Sequence, residues 1–220
     1  MPTDKQRVVQ FYFDPISPFA WLAFKQLQRL RDAGLIIDCR PILFAGLLNA
    51  HDQKGPAEIP AKRSYVFGDV MREADRQGFI FNGPPTHPYN PLRALRMCIA
   101  LDDPDERLRF AQALMAACWE QGRDLSDPRV LDGIAETCGL AARQLGVAAE
   151  QVEIKNRLLA ATGAAIDAGI FGVPTFLFND ELFWGSDRID TLLWRIDHPE
   201  RDEAKLKEFL QRGASAQRSS

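Results

Sequence analysis

No two of the four cysteines, Cys39, Cys98, Cys118 and Cys138, stand two or three residues apart in this 220-residue chain. Neither a CxxC redox centre nor a paired-cysteine zinc site can be written, and the four read as reduced, mostly buried thiols. Histidine is scarcer still. His51, His87 and His198 are the only three, none with a partner at helical spacing, so metal ligation has no support. Long apolar runs are missing too, and nothing approaches the roughly 18 residues of a membrane-spanning helix. The first residues, MPTDKQRVVQ, carry charges with no apolar stretch behind them. The expectation is therefore no secretory signal and, with unpaired cysteines, a cytoplasmic protein. Basic blocks are also absent: a net charge of -3 and a pI near 5.7 give no electrostatic reason for a nucleic-acid or anionic-membrane partner.

What the chain does contain is a change of period. RVVQFYF, residues 7 to 13, is β-branched and aromatic and stops at Asp14-Pro15, as a short buried strand does. From Pro18 the apolar residues Trp21, Leu22, Phe24, Leu27 and Leu30 fall at helical spacing, with Gly34 as the stop. LIIDCRPIL reads as a second strand, and two strands joined by such a helix are expected to be parallel neighbours.

From Phe44 to about Ala168 no convincing strand appears, and the apolar spacing predicts about five helices, two of them opened by Asp-Pro starts in DDPDE and LSDP. Strand period returns in VPTFLFNDELFWG, where Asn-Asp between apolar runs predicts a hairpin without the usual glycine. An amphipathic stretch, DRIDTLLWRI, a charged helix over 200–211 and a frayed polar tail, GASAQRSS, follow. The fold class is thus α/β: a thioredoxin-like domain, residues 1–43 and 169–220, with an all-helical insertion over 44–168. In such a fold the chemistry is to be sought at the turn after the first strand, residues 16 to 19.

Three segments invite a functional reading beside a plain one. Ser17-Pro18 is a sufficient helix start, its hydroxyl satisfying an orphan amide. The same helix end also suits an anion, such as a thiolate accepting from the Ser17 hydroxyl. Val173-Pro174 opens a strand at a position without a ladder donor; a trans proline on an edge strand explains it, and a cis bond would turn the Val173 backbone outward toward an extended ligand. Ser186-Asp187 suits a cap and first-turn acid of the next helix, or a ligand's carboxylate and ammonium. Lys62 lies at a helix start, where a lysine opposes the dipole. Tyr65, Tyr89, Asn90 and Trp119 are candidates to line a cleft between the domains, though packing accounts for each alone.

Taken together, FYFDPISPFAWLA, the segment WEQGRDLSDP from Trp119 to Pro128, and FGVPTFLFNDELFWGSDRID resemble the 2-hydroxychromene-2-carboxylate isomerases, relatives of kappa-class glutathione transferases. The resemblance covers about residues 7 to 195. It implies glutathione as cofactor, with Ser17 hydrogen-bonding its sulfur and cis-Pro174 letting the Val173 backbone pair with the cysteinyl unit. Ser186 and Asp187 would hold the γ-glutamyl end, Lys62 would contact the tripeptide, and Gln53 falls about where kappa-class relatives have an asparagine. Tyr89, Asn90 and Trp119 would face a small aromatic substrate, with Asn90-Pro91 departing from the usual start of that helix. The implied reaction is glutathione-dependent isomerisation of a hydroxychromene carboxylate to trans-o-hydroxybenzylidenepyruvate in aromatic-hydrocarbon catabolism, carried out by a homodimer. A kappa-type transferase or peroxidase, or a non-catalytic thioredoxin-fold binder, are the alternatives. Ala20, where a second redox cysteine would stand, argues against disulfide exchange.

Overall fold

A computed structural model describes residues 7–213. Strand β1 (Val8–Phe13) pairs in parallel with β2 (Ile36–Pro41), in register from Val8 opposite Ile36 to Phe13 opposite Pro41. Strand β3 (Thr175–Phe178) runs antiparallel on the other side of β1, with Tyr12 opposite Thr175, and β4 (Glu181–Trp184) completes the order β2-β1-β3-β4. The hairpin between β3 and β4 closes through Asn179 at φ 49° and Asp180 at φ 61°. Two consecutive left-handed residues match the twist of the flanking strands, and Asn and Asp tolerate that region better than other side chains.

Alternation along β1 separates two layers. Val9, Phe11 and Phe13 face one side, where Phe11 stacks on Phe176 at 4.7 Å and Phe24 meets Phe11 and Phe13 edge-on at 4.9 and 5.0 Å. Each such side chain, fully buried, is worth about 1.5–3 kcal/mol of transfer free energy. This layer is covered by α1 (Pro18–Phe24) and α2 (Leu27–Asp32), and by α6 (Pro104–Trp119) and α10 (Ile189–Asp197) farther along the chain. Tyr12 faces the other side with Ile42, Val173, Leu177 and Leu182, beneath α3 (Phe44–Ala50) and α9 (Val152–Asp167).

The sequence anticipates one helix from Pro18 to Gly34, and the structure divides it. Around Lys25 and Gln26 the chain tightens, the Gln26 amide donating to Ala23 three residues back, and both halves turn their apolar side chains, Trp21 and Leu22 then Leu27 and Leu30, to the core. Between the parallel strands and the hairpin stand seven helices rather than about five. Those anticipated are α4 (Pro60–Gln77), α5 (Leu92–Ala100), α6, α7 (Pro128–Thr137) and α9. The additions are α3 and α8 (Ala142–Ala148), each seven residues long with no side-chain cap. Helices this short do not form from propensity and exist here because Leu47, Ala142 and Leu145 are buried. Asp103 and Asp127 cap α6 and α7 ahead of Pro104 and Pro128, as their sequences indicate. Helix α11 (Glu203–Leu210) ends the described chain. All but the first residue of the polar tail lies outside the described residues.

Candidate functional site

The carboxyl end of β1, the start of β3 and the end of β4 share one edge of the sheet, because Tyr12 is opposite Thr175 and Thr175 opposite Trp184. At that edge Ser17 caps α1 in extended conformation, φ -93° and ψ 116°. Its hydroxyl oxygen accepts from the Ala20 amide at 3.2 Å, and its proton is directed at the Val173 carbonyl, 3.4 Å away. Pro18 has no amide to satisfy, and among the described residues the Phe19 amide has no hydrogen-bond partner. An unmatched donor therefore sits beside a hydroxyl at a helix start, which is what an incoming anion requires.

The Val173-Pro174 bond is cis. The Pro174 carbonyl accepts from the Gly185 amide at 2.9 Å, which ties this strand start to Ser186-Asp187. Gly185 has φ 116°, a conformation that side-chain-bearing residues rarely adopt, and glycine takes it without strain. The 3₁₀ turn Ser186–Arg188 packs against α1. Ser186 is buried, whereas Asp187 is exposed and paired to Arg188 at 2.6 Å. Ser17, Val173-Pro174 and Ser186-Asp187, scattered over some 170 positions of sequence, are thus one locus.

The turn feeding α1 is held at five backbone atoms, the Asp14, Pro15 and Ile16 carbonyls and the Ile16 and Ser17 amides. Its Asp14 carbonyl accepts from the Ser17 amide at 3.0 Å, Trp119 Nε1 donates to the Pro15 carbonyl at 3.0 Å, and His87 Nε2 meets the Ile16 carbonyl at 3.0 Å. The Ile16 amide donates to the Asp14 carboxylate. Trp119 is fully buried and stacks on Phe81, so it is no wall of an open cleft; its task is to fix the turn. Tyr89 is buried as well, its hydroxyl receiving the Cys118 thiol at 3.5 Å. Asn90 is exposed, but its side chain accepts from the Leu92 amide at 3.0 Å and so starts α5. These three expected substrate contacts are not brought together on one accessible surface. Gln53 and Lys62 are exposed, in the loop after α3 and in the first turn of α4, with no side-chain bond to the Ser17 turn among the described residues.

Asp14 and His87 adjoin the Ser17 turn and are passed over by sequence reasoning. The signals were present: an acid ending an apolar strand, and a histidine between two prolines in PPTHP. Burial holds the His87 imidazole below its usual range and so neutral. Burial also pushes the Cys118 thiol up to about 12 and raises Cys39, Cys98 and Cys138. No cysteine of this chain is therefore poised as a thiolate at neutral pH. Among the described residues no cluster of histidine, cysteine and carboxylates is arranged for a metal, and no helix is long and apolar enough to cross a membrane.

A thioredoxin-type sheet whose first helix begins with Ser-Pro, faced by a cis Val-Pro step, defines a thioredoxin-fold protein without a redox cysteine pair. Comparison with known proteins agrees. The model of the DsbA-like thioredoxin domain matches residues 8–197. A 2-hydroxychromene-2-carboxylate isomerase of Sphingobium xenophagum is 32% identical over 191 residues, covering 84% of this chain and 96% of that protein. Glutathione S-transferase kappa 1 of Rattus norvegicus is 26% identical over 210 residues, covering 86% and 91%. A solved 2-hydroxychromene-2-carboxylate isomerase superposes with a TM-score of 0.81 at 27% identity, covering 90% of this chain and 98% of the other. The chain belongs to the DsbA-like thioredoxin-domain family and, within it, to the group formed by 2-hydroxychromene-2-carboxylate isomerases and kappa-class glutathione transferases.

Proposed function

We propose that the protein is a glutathione-dependent isomerase acting on 2-hydroxychromene-2-carboxylate or a related aromatic-degradation intermediate. The observation that carries the reading is a chemical mismatch: an anion-ready helix start, with the Ser17 hydroxyl and an unmatched Phe19 amide, in a chain whose own thiols are all held protonated by burial. The residues present fit a borrowed thiol. Bound there, glutathione supplies a thiolate that adds reversibly to an electrophilic carbon of the substrate and leaves again without net redox change.

The chain's own part is to bind and orient. Ser17 turns its hydroxyl proton from the long contact with the Val173 carbonyl toward the sulfur, and the Phe19 amide donates beside it. Val173 presents its backbone to the extended tripeptide as an added strand would meet it. Ser186 and Asp187 receive the γ-glutamyl end, Asp187 exchanging Arg188 for the ligand's ammonium. Lys62 and, less directly, Gln53 attend the tripeptide from the inserted helices. Tyr89 and Trp119 shape the acceptor side by fixing the loop rather than by contact, and Asn90 by starting α5. Reduced cysteines suit the proposed cytoplasmic setting.

A kappa-type transferase would use the same clamp, and the 26% identity to the rat enzyme keeps it as the second reading. The test is calorimetry with glutathione on the wild type and on Ser17→Ala, followed by ultraviolet absorbance of a hydroxychromene carboxylate with and without the tripeptide. Binding with glutathione-dependent isomerisation, at least tenfold reduced in Ser17→Ala, is the expected result. Binding without isomerisation favours the transferase, and absence of binding defeats both and leaves the binding protein.

A further inference from the structure

Beneath the Ser17 turn lies a carboxyl group that the proposed chemistry does not use. Asp14 is fully buried. One oxygen accepts from the Ile16 amide at 3.0 Å and the other from the Phe44 amide at 2.9 Å, so a single side chain ties the β1–α1 turn to the first residue of α3. It has no cationic partner among the described residues. The titratable groups that face it are Tyr89, from the loop before α5, and Cys98 of α5, both held neutral by burial and pushed further up by the Asp14 charge. His87 stands on the far side of Ile16 and is itself held neutral by burial.

We propose that Asp14 is the positioning residue of this site, fixing the Ser17 turn against α3 through two backbone amides, and that its negative charge opposes a second anion held at Ser17. The second half rests on the glutathione reading; the first does not. Burial raises the carboxyl to about 7, the two amide bonds only partly countering it. Protonation therefore falls in the neutral range and puts a proton on one of the two oxygens that now accept an amide. Because the folded-state value is raised above the unfolded one, near 3.9, the group's stabilising contribution is complete at and below about pH 4 and is lost as pH rises through about 7. Ionisation thus costs stability and, at the same time, gives the turn its best acceptors.

The experiment follows the Asp14 carboxyl carbon and the Ile16 and Phe44 amides by NMR across neutral pH, without ligand, in the wild type and in Asp14→Asn. The expected result is a carboxyl midpoint near 7, the same midpoint on both amides, and its loss in Asp14→Asn. Ile16 and Phe44 amides that show no titration shared with the carboxyl, at whatever pH it ionises, overturn the positioning role. So does an amide titration that persists in Asp14→Asn, which would belong to His87. Should Asp14→Asn fail to fold, the wild-type Ile16 and Phe44 amides, titrating with the carboxyl or not, still decide. With glutathione added, the thiolate absorbance of the bound tripeptide should ionise at a lower pH in Asp14→Asn, by about half a unit or more; an unchanged midpoint overturns the electrostatic half. If the wild type does not bind glutathione, the functional reading falls, and the carboxyl and amide titrations still judge the positioning role.

Discussion

The two ends of the candidate site are built in opposite ways. In the turn from Asp14 to Ser17 three carbonyls and two amides have partners, and the side chains among them, Trp119, His87 and the Asp14 carboxyl, are wholly or largely buried. At the other end Asp187 and Arg188 are exposed and paired only to each other, and Lys62 and Gln53 stand in solvent. The difference teaches where geometric precision is needed. If the site takes glutathione as proposed, a sulfur held by one hydroxyl and one amide must be placed within a few tenths of an ångström, whereas the charged end of a flexible peptide is caught by side chains that can follow it.

The largest effect should come from breaking the rigid end. Trp119→Ala removes a fully buried indole and leaves the Pro15 carbonyl without its donor, so unfolding by urea should show a loss of about 3–5 kcal/mol. Trp119→Phe keeps most of the volume and loses chiefly the hydrogen bond, for about 1–3 kcal/mol. If Trp119→Ala stayed within about 1 kcal/mol of wild type, the turn would not be held as described.

How far the sequence foretells this contrast depends on whether a feature is local. The strands, the hairpin and the Asp-Pro starts of α6 and α7 carry their signals within a few residues and were legible. Ser17 is legible as a cap for the same reason. Helices α3 and α8 were not, because two turns of helix owe their existence to packing contacts that no window of sequence contains. The role of Trp119 is of that kind: its hydrogen bond to Pro15 spans 104 positions, and an aromatic residue at helical spacing looks the same whether it lines a cleft or braces a loop. The WEQGRDLSDP segment illustrates it further. Glu120 receives Trp21 and Lys25, Asp124 receives Ser126, and Asp127 caps α7, so the motif joins α6 to α1 and α7.

A smaller effect, of opposite sign, is expected at the end of the sheet remote from the site. Asp180 is held at φ 61°, a region that costs a side-chain-bearing residue about 1–2 kcal/mol. Asp180→Gly relieves that and loses part of the gain to unfolded-chain entropy, so thermal unfolding should show a net stabilisation of about 0.5 kcal/mol, with glutathione affinity unchanged. A loss of stability would show that the Asp180 side chain has a hidden role in the hairpin.

The smallest structural effect, and the sharpest test of the contrast, belongs to Asp187→Ala. The Asp187–Arg188 pair joins side chains 68% and 51% exposed, and such surface pairs contribute little, so stability should stay within about 0.5 kcal/mol of wild type. Gly185 keeps its conformation, since its φ of 116° is open to glycine without help from the Asp187 carboxylate. Affinity for glutathione, by contrast, should weaken about tenfold, or about 1.4 kcal/mol, as the tripeptide's ammonium loses its partner. Arg188→Ala, which frees Asp187 for the ligand, should leave affinity equal or improved. If Asp187→Ala instead destabilised the fold and left binding intact, the exposed turn would be part of the scaffold. The division between a braced sulfur end and an adaptable charged end would then fail at the point where it is most exposed to test.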